Sequence, residues 1–169
     1  MKITDHQIDN FFHWENDYSI GISEIDDQHK EMIMLIRDLL RICYDSDNEN
    51  QRNNFLTLAL IGEKYIEKHF STEEEYMLMQ NYPQYEGHKK RHDKMLEDTK
   101  EMVDKITGEK KTLLDGVIFI REWLDEHINS IDKDMGEFLY NKDFYYEKQK
   151  YFFLDYLRRG FNTKELATQ

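Results

Sequence analysis

Polar and apolar positions along this chain fall into long stretches of helical period. From near Asp26, the residues His29, Met32, Ile36, Leu39 and Cys43 recur every three or four positions, which puts them on one helix face. Asp45-Ser46-Asp47-Asn48 breaks the pattern as a loop. A second stretch, 51–80, carries Phe55, Leu58, Tyr65, Ile66, His69, Glu73 and Tyr76 along one side. Asn81-Tyr82-Pro83 stops it, because proline cannot continue the hydrogen-bond ladder. A third begins near Gln84 and lines up Tyr85, His88, His92, Met95, Thr99, Met102 and Ile106, with Thr107-Gly108 at its end. The fourth, 112–135, carries Leu113, Val117, Ile120, Trp123, Leu124 and His127. Four amphipathic helices with short connections predict an all-α fold, an antiparallel up-down-up-down four-helix bundle.

The ends of the chain read differently. Residues 1–24 hold Trp14, Tyr18 and Gly21 without a helical period, and read as an N-terminal arm packed on the bundle of 25–137. Ten of the 23 aromatic residues fall between Phe138 and Phe161, and Tyr145, Phe152 and Tyr156 share a helical face. The segment 138–169 is therefore expected to be an extra C-terminal helix. Its residues 138–161 either pack on the bundle or form a homodimer or protein-partner surface.

Composition narrows the function. The net charge of −12 divides into −13 over residues 1–132 and +1 over the rest, so a basic nucleic-acid surface is excluded. One proline and seven glycines are too few for a sheet protein's turns. A single cysteine, Cys43, cannot form an intrachain disulfide, and its place on the first stripe suits a buried, inert thiol. No apolar run approaches the roughly 20 residues that span a bilayer, and the first dozen residues lack a signal-peptide core. No membrane association is expected, and the default location is cytoplasmic.

Histidine placement carries the chemistry. Five of the seven histidines lie on the inner stripes, while His6 and His13 lie outside them and read as surface residues. His69 and Glu73 are four apart and face one way; His88 and His92 repeat the spacing; His29 and His127 come from the other two helices. Asp132 follows His127 by five, whereas Glu74 and Glu75 read as solvated acids. Five imidazoles and two carboxylates in a bundle core would cost several kcal/mol if left unpaired. Metal ions convert that cost into binding. Seven ligands are too many for one tetrahedral zinc, so two metals are expected, each carboxylate being able to bridge them. Mixed imidazole and carboxylate ligation suits iron, without excluding manganese, cobalt or zinc. Residues five apart on an ideal α-helix point about 140° from each other. Convergence of His127 and Asp132 therefore predicts a π-type turn between them.

These motifs resemble those of the hemerythrin family. The resemblance rests on Gly21-Ile22 through Ile25-Asp26-Asp27-Gln28-His29, on His69-Phe70-Ser71-Thr72-Glu73-Glu74, on His88 to His92, and on Trp123-Leu124-Asp125-Glu126-His127-Ile128 with Asp132. It implies a non-haem di-iron centre, two iron ions (Fe2+/Fe3+) with a bridging oxo or hydroxo group. One iron would be held by His88, His92 and His127 and the other by His29 and His69, with Glu73 and Asp132 bridging. The two-histidine iron would bind dioxygen reversibly, in a pocket lined by Met32, Phe70, Trp123, Leu124 and Ile128. The implied role is oxygen carriage, storage or delivery, with no enzymatic turnover. The alternative is a sensor of oxygen, nitric oxide or iron that signals through the C-terminal extension. Ferritin-like di-iron enzymes use Glu-x-x-His pairs and more carboxylates. The His-x-x-x-Glu pattern here is richer in imidazole, which favours binding oxygen over oxidising a substrate.

Overall fold

The computed structural model describes residues 3–45, 50–106 and 110–140. Its helices are α1 (Asp5–Phe11), α2 (Ser23–Tyr44), α3 (Gln51–Met79), α4 (Tyr85–Lys105), α5 (Lys110–His127) and α6 (Lys133–Tyr140). A π turn, Ile128–Asp132, joins α5 to α6 without a break. Among the described residues there is no strand. No helix there is long and apolar enough to cross a membrane.

Side-chain bonds fix the direction of each helix. At one end Tyr76 donates to Glu24 and Gln28 to Thr72; at the other, Gln51 donates to the carbonyls of Ile42 and Cys43. So α3 runs antiparallel to α2. Returning along α3, α4 pairs Lys89 with Glu74 near one end and receives Arg52 on the Ile106 carbonyl at the other. The next helix reverses again, with Gly116 against Met102 and His127 against His88. α5 also packs on α2, which closes the four-helix ring. The inner stripes meet as expected: Ile36, Leu39, Phe55, Met95, Leu113, Val117 and Leu124 are all buried. Cys43 is half-buried, and burial pushes its thiol up to about 12, so it stays protonated.

Proline alone does not end α3. Asn81 takes a left-handed φ of 52°, and its N–H returns to Leu78 while that of Tyr82 returns to Met77 at 2.9 Å. These two bonds satisfy carbonyls that would otherwise be orphaned at the helix end. Pro83 then prevents any restart.

The N-terminal stretch holds a helix that periodicity misses. Thr4 and Gln7 form a reciprocal capping box that starts α1. Seven residues are too short for a period to show. The following segment is tied down by Asp26, which accepts from the Ser19 hydroxyl at 2.6 Å and the Ile20 amide at 2.8 Å. Gly21, at φ +83°, turns the chain toward α2. The Ile20 backbone lies directly on Gly136 of α6, where a Cβ would stand 2.9 Å from Ile20 Cβ and closer still to its carbonyl oxygen. Tyr18 donates to Asp125 at 2.6 Å, and the Arg121 guanidinium lies 5.2 Å from the Phe11 ring. The expected C-terminal helix and its partner surface lie outside the described residues beyond Tyr140.

Candidate metal centre

Each of the four long helices delivers at least one side chain to a single point on the axis. α2 brings His29; α3 brings His69 and Glu73; α4 brings His88 and His92; α5 and the π turn bring His127 and Asp132. All seven are buried, with Glu73, His29, His92 and Asp132 wholly inaccessible. The i, i+4 spacing on α3 and α4 stacks each pair on one face. The π turn does the same for the i, i+5 pair: the Lys133 N–H reaches back five residues to the Ile128 carbonyl, and Asp132 Oδ1 stands 3.1 Å from His127 Nε2.

The donors fall into two groups that share both carboxylates. One contains His88, His92, His127, Glu73 and Asp132; the other contains His29, His69, Glu73 and Asp132, with ligand atoms within 4.8 Å of one another in each. Each carboxylate divides its oxygens between the groups. Glu73 Oε1 faces His69 at 3.3 Å and His29 at 3.7 Å, while Oε2 faces His92 at 3.0 Å and His88 at 3.6 Å. Asp132 Oδ2 faces His29 at 3.3 Å, while Oδ1 faces His88 at 3.2 Å. In all of these contacts the imidazole presents Nε2.

The cluster does not satisfy itself. Both oxygens of Glu73 and of Asp132, His29 Nε2 and His69 Nε2 are buried without a well-formed hydrogen bond. Yet these atoms lie close enough for strong ionic contact. Burial lowers His29, but Asp132 and Glu73 outweigh it and hold the imidazole up at about 9. His88 is raised to about 9 by the same balance. For His69 burial wins, and it falls to about 4. Burial raises Glu73, yet His69 and the contacts with His29, His88 and His92 hold it well below the usual carboxylate range. Asp132 is likewise held low, against burial and the like charge of Glu73, by His127 and His29. Orphaned lone pairs aimed at a common centre, at this depth, are what bound cations would satisfy, so the donor set fits a pair of metal ions.

Aromatic rings pack the imidazoles. Phe70 lies flat on His92, centroids 3.8 Å apart and planes 4° from parallel, and Trp123 stacks on His127 at 4.3 Å. Met32, Trp123 and Leu124 line an adjoining cavity of about 40 Å³ that continues past Ile36 and Ile120 to Phe55 and Ile106. Phe70 and Ile128 are not among its lining residues; Ile128 is fully buried directly after His127.

Two residues that sequence reasoning did not assign to the site hold the outer nitrogens of two of its imidazoles. Gln28 Oε1 meets His69 Nδ1 at 2.9 Å, and Glu74 Oε1 meets His92 Nδ1 at 3.3 Å. Glu74 is therefore not a freely solvated acid. Gln28, next to His29 on α2, reaches sideways to the neighbouring helix, and Glu74, next to Glu73 on α3, does the same. Adjacency to a candidate ligand was the available signal.

The fold and the cluster define a metal-binding four-helix bundle of the imidazole-rich kind. The description "Hemerythrin HHE cation binding domain" fits residues 20–139, and the chain belongs to the hemerythrin family. It is 29% identical over 123 residues to a bacteriohemerythrin of Methylococcus capsulatus, covering 71% of this chain and 89% of that one. A myohemerythrin of Theromyzon tessulatum is 27% identical over 121 residues, covering 72% and 88%. A hemerythrin-like protein of Naegleria gruberi is 28% identical over 122 residues, covering 72% and 87%.

Proposed function

We propose that this protein binds dioxygen reversibly at a di-iron centre held by His29, His69, Glu73, His88, His92, His127 and Asp132, and acts in oxygen carriage, storage or delivery. The observation that carries the reading is the division of the donors. Three imidazoles stand on one side and two on the other, and each carboxylate gives one oxygen to each side. Two iron ions so held would supply the electrons that dioxygen accepts on binding. The side with His29 and His69 has the smaller donor set, and so the room for an external ligand.

The chain's own residues favour binding over reaction. Glu73 and Asp132 fix the separation of the two halves through helix register. Phe70 and Trp123 lie against the imidazoles and keep bulk water and protons from them. Met32 and Leu124 give the adjoining cavity an apolar wall suited to a small apolar molecule. Glu74, the acid beside the proposed ligand Glu73, is already engaged by His92 and Lys89. A binding protein fits this arrangement better than an enzyme.

The test is metal content with an absorption spectrum, on protein reduced without air and then exposed to oxygen. About two irons per chain and a visible band that disappears when oxygen is removed are expected. Immediate, irreversible oxidation would keep the site but move the function to sensing of oxygen, nitric oxide or iron. Absence of iron, or one zinc, would overturn the ligand assignment. Removing residues 141–169 separates the carrier from a sensor, whose output would run through that segment. A carrier keeps its oxygen affinity and oligomeric state.

A further inference from the structure

The clustered imidazoles turn Nε2 inward, and two of them, His69 and His92, are held by the rest of the protein at their outward Nδ1 atoms, whereas His29 Nδ1 and His88 Nδ1 are buried without a hydrogen-bond partner. It holds the two halves unequally. On the two-histidine side, His69 Nδ1 meets the Gln28 amide oxygen at 2.9 Å, a neutral acceptor anchored in turn on Thr72 at 3.3 Å. On the three-histidine side, His92 Nδ1 meets a carboxylate oxygen of Glu74 at 3.3 Å. An imidazole that gives Nε2 to a metal keeps its proton on Nδ1, so both rings donate outward. Their acceptors differ by a full negative charge.

Glu74 is also paired with Lys89, whose Nζ lies 3.3 Å from Oε2 and 3.4 Å from Oε1, the oxygen that faces His92; Lys89 also reaches Asp93 at 3.0 Å. Side-chain exposure falls from 37% at Lys89 to 20% at Glu74 and 1% at His92, so the three form a charged line from the surface to the cluster. The same turn of α3 supplies both the shared carboxylate Glu73 and this neighbour. Across on α4, Lys89 and His92 are three apart and so share a face.

We propose that Glu74 is a positioning residue that polarises His92 and biases the three-histidine half toward its oxidised state, with Lys89 opposing it from the surface. This rests on the di-iron reading. A carboxylate draws the Nδ1 proton toward itself and leaves more electron density on Nε2, which favours the higher metal charge. Gln28 exerts no comparable pull on His69. Lys89 carries the opposite sign and sits farther from the ring, so it offsets part of the effect.

The experiment compares iron-loaded wild type, Glu74→Gln, Glu74→Asp and Lys89→Met, recording the ratio of oxidised to reduced centre at one fixed applied potential. Glu74→Gln keeps an acceptor oxygen and removes the charge. It is expected to lower that ratio on the order of tenfold, given a charge a few ångströms from the ring at an effective dielectric of about 20. Tenfold corresponds to about 59 mV for one electron. Lys89→Met is expected to raise the ratio, and Glu74→Asp to return most of the way to wild type. In zinc-loaded protein, free of redox chemistry, the His92 Nδ1 proton resonance should move upfield in Glu74→Gln, while that of His69 stays in place. Shifts of the same sign in the Glu74→Gln and Lys89→Met variants, or changes below twofold at equal iron content, would overturn the proposal while leaving the di-iron reading intact. Wild type that binds no iron would sink both.

Discussion

Replacing Gly136 with alanine tests how the N-terminal segment is seated on the bundle. Gly136 lies inside α6, four residues past Asp132, and the backbone of Ile20 rests on it. Within a helix, glycine to alanine ordinarily stabilises by about 1 kcal/mol, through backbone entropy. Here the new Cβ would meet Ile20 Cβ at 2.9 Å, and Ile20 cannot retreat freely because Asp26 holds its amide at 2.8 Å. Overpacking of this kind costs about 1–3 kcal/mol and, against a fixed backbone, tends to the upper part of that range. The net expectation is a loss of roughly 1–2 kcal/mol. For a chain of this size that lowers the melting temperature by about 2–8 °C. Gly62, inside α3, is the control: a Cβ there meets nothing within 4 Å, so Gly62→Ala should raise stability by about 0.5–1 kcal/mol. Thermal and urea unfolding followed by circular dichroism, with both variants in the same metal state, reads the two signs. If Gly136→Ala stabilised the protein as Gly62→Ala does, the Ile20 contact could not be the constraint described.

Other outcomes follow from the cluster and the arm. Stripping the proposed metal ions should lower the melting temperature and broaden the transition, because binding energy for the folded state would be withdrawn and the buried donors would lose the ions proposed for them. Metal uptake at pH 7 should release about two protons, since His29 and His88 are held up at about 9 in the metal-free cluster. Calorimetry in buffers of different ionisation heat counts them, and affinity should rise with pH until about 9. In the metal-free protein the same two histidines contribute stability below about pH 6.5 that is lost as the pH rises through 9. Glu73 and Asp132, held low, contribute above about pH 4 and lose it on acidification, so unfolding midpoints should decline on both sides of neutrality. Asp26→Ala leaves the buried Ile20 amide without its acceptor, and should cost about 1–3 kcal/mol and expose the segment before α2 to protease.

The seven clustered residues and the π turn were legible in the sequence for one reason. Helical spacing states which side chains share a face, and an i, i+5 pair that must converge states where the helix has to widen. The supporting residues were not legible on the same terms. Glu73, Glu74 and Glu75 are one run of acids, and only the rotation of α3 against α4 decides that the second of them meets His92. The contact of Ile20 on Gly136 joins residues far apart in sequence through a close backbone approach, and no local pattern marks it. α1 is written in a cap, Thr4 with Gln7, rather than in a period. The end of α3 depends on a left-handed Asn81, where Pro83 drew attention two residues further on.

The division of oxygens within Glu73 and Asp132 bears on how the cluster would fill. Each carboxylate places one oxygen in either half, so a first cation captured by one side would leave the two oxygens of the other with only the imidazoles beside them, at a depth that water does not reach. That intermediate is costly, and a second cation relieves it. Loading of the proposed pair would thus be cooperative: a titration of the metal-free protein should pass almost directly from empty to doubly filled. In a cell, the population would then respond to iron supply as a threshold rather than in proportion.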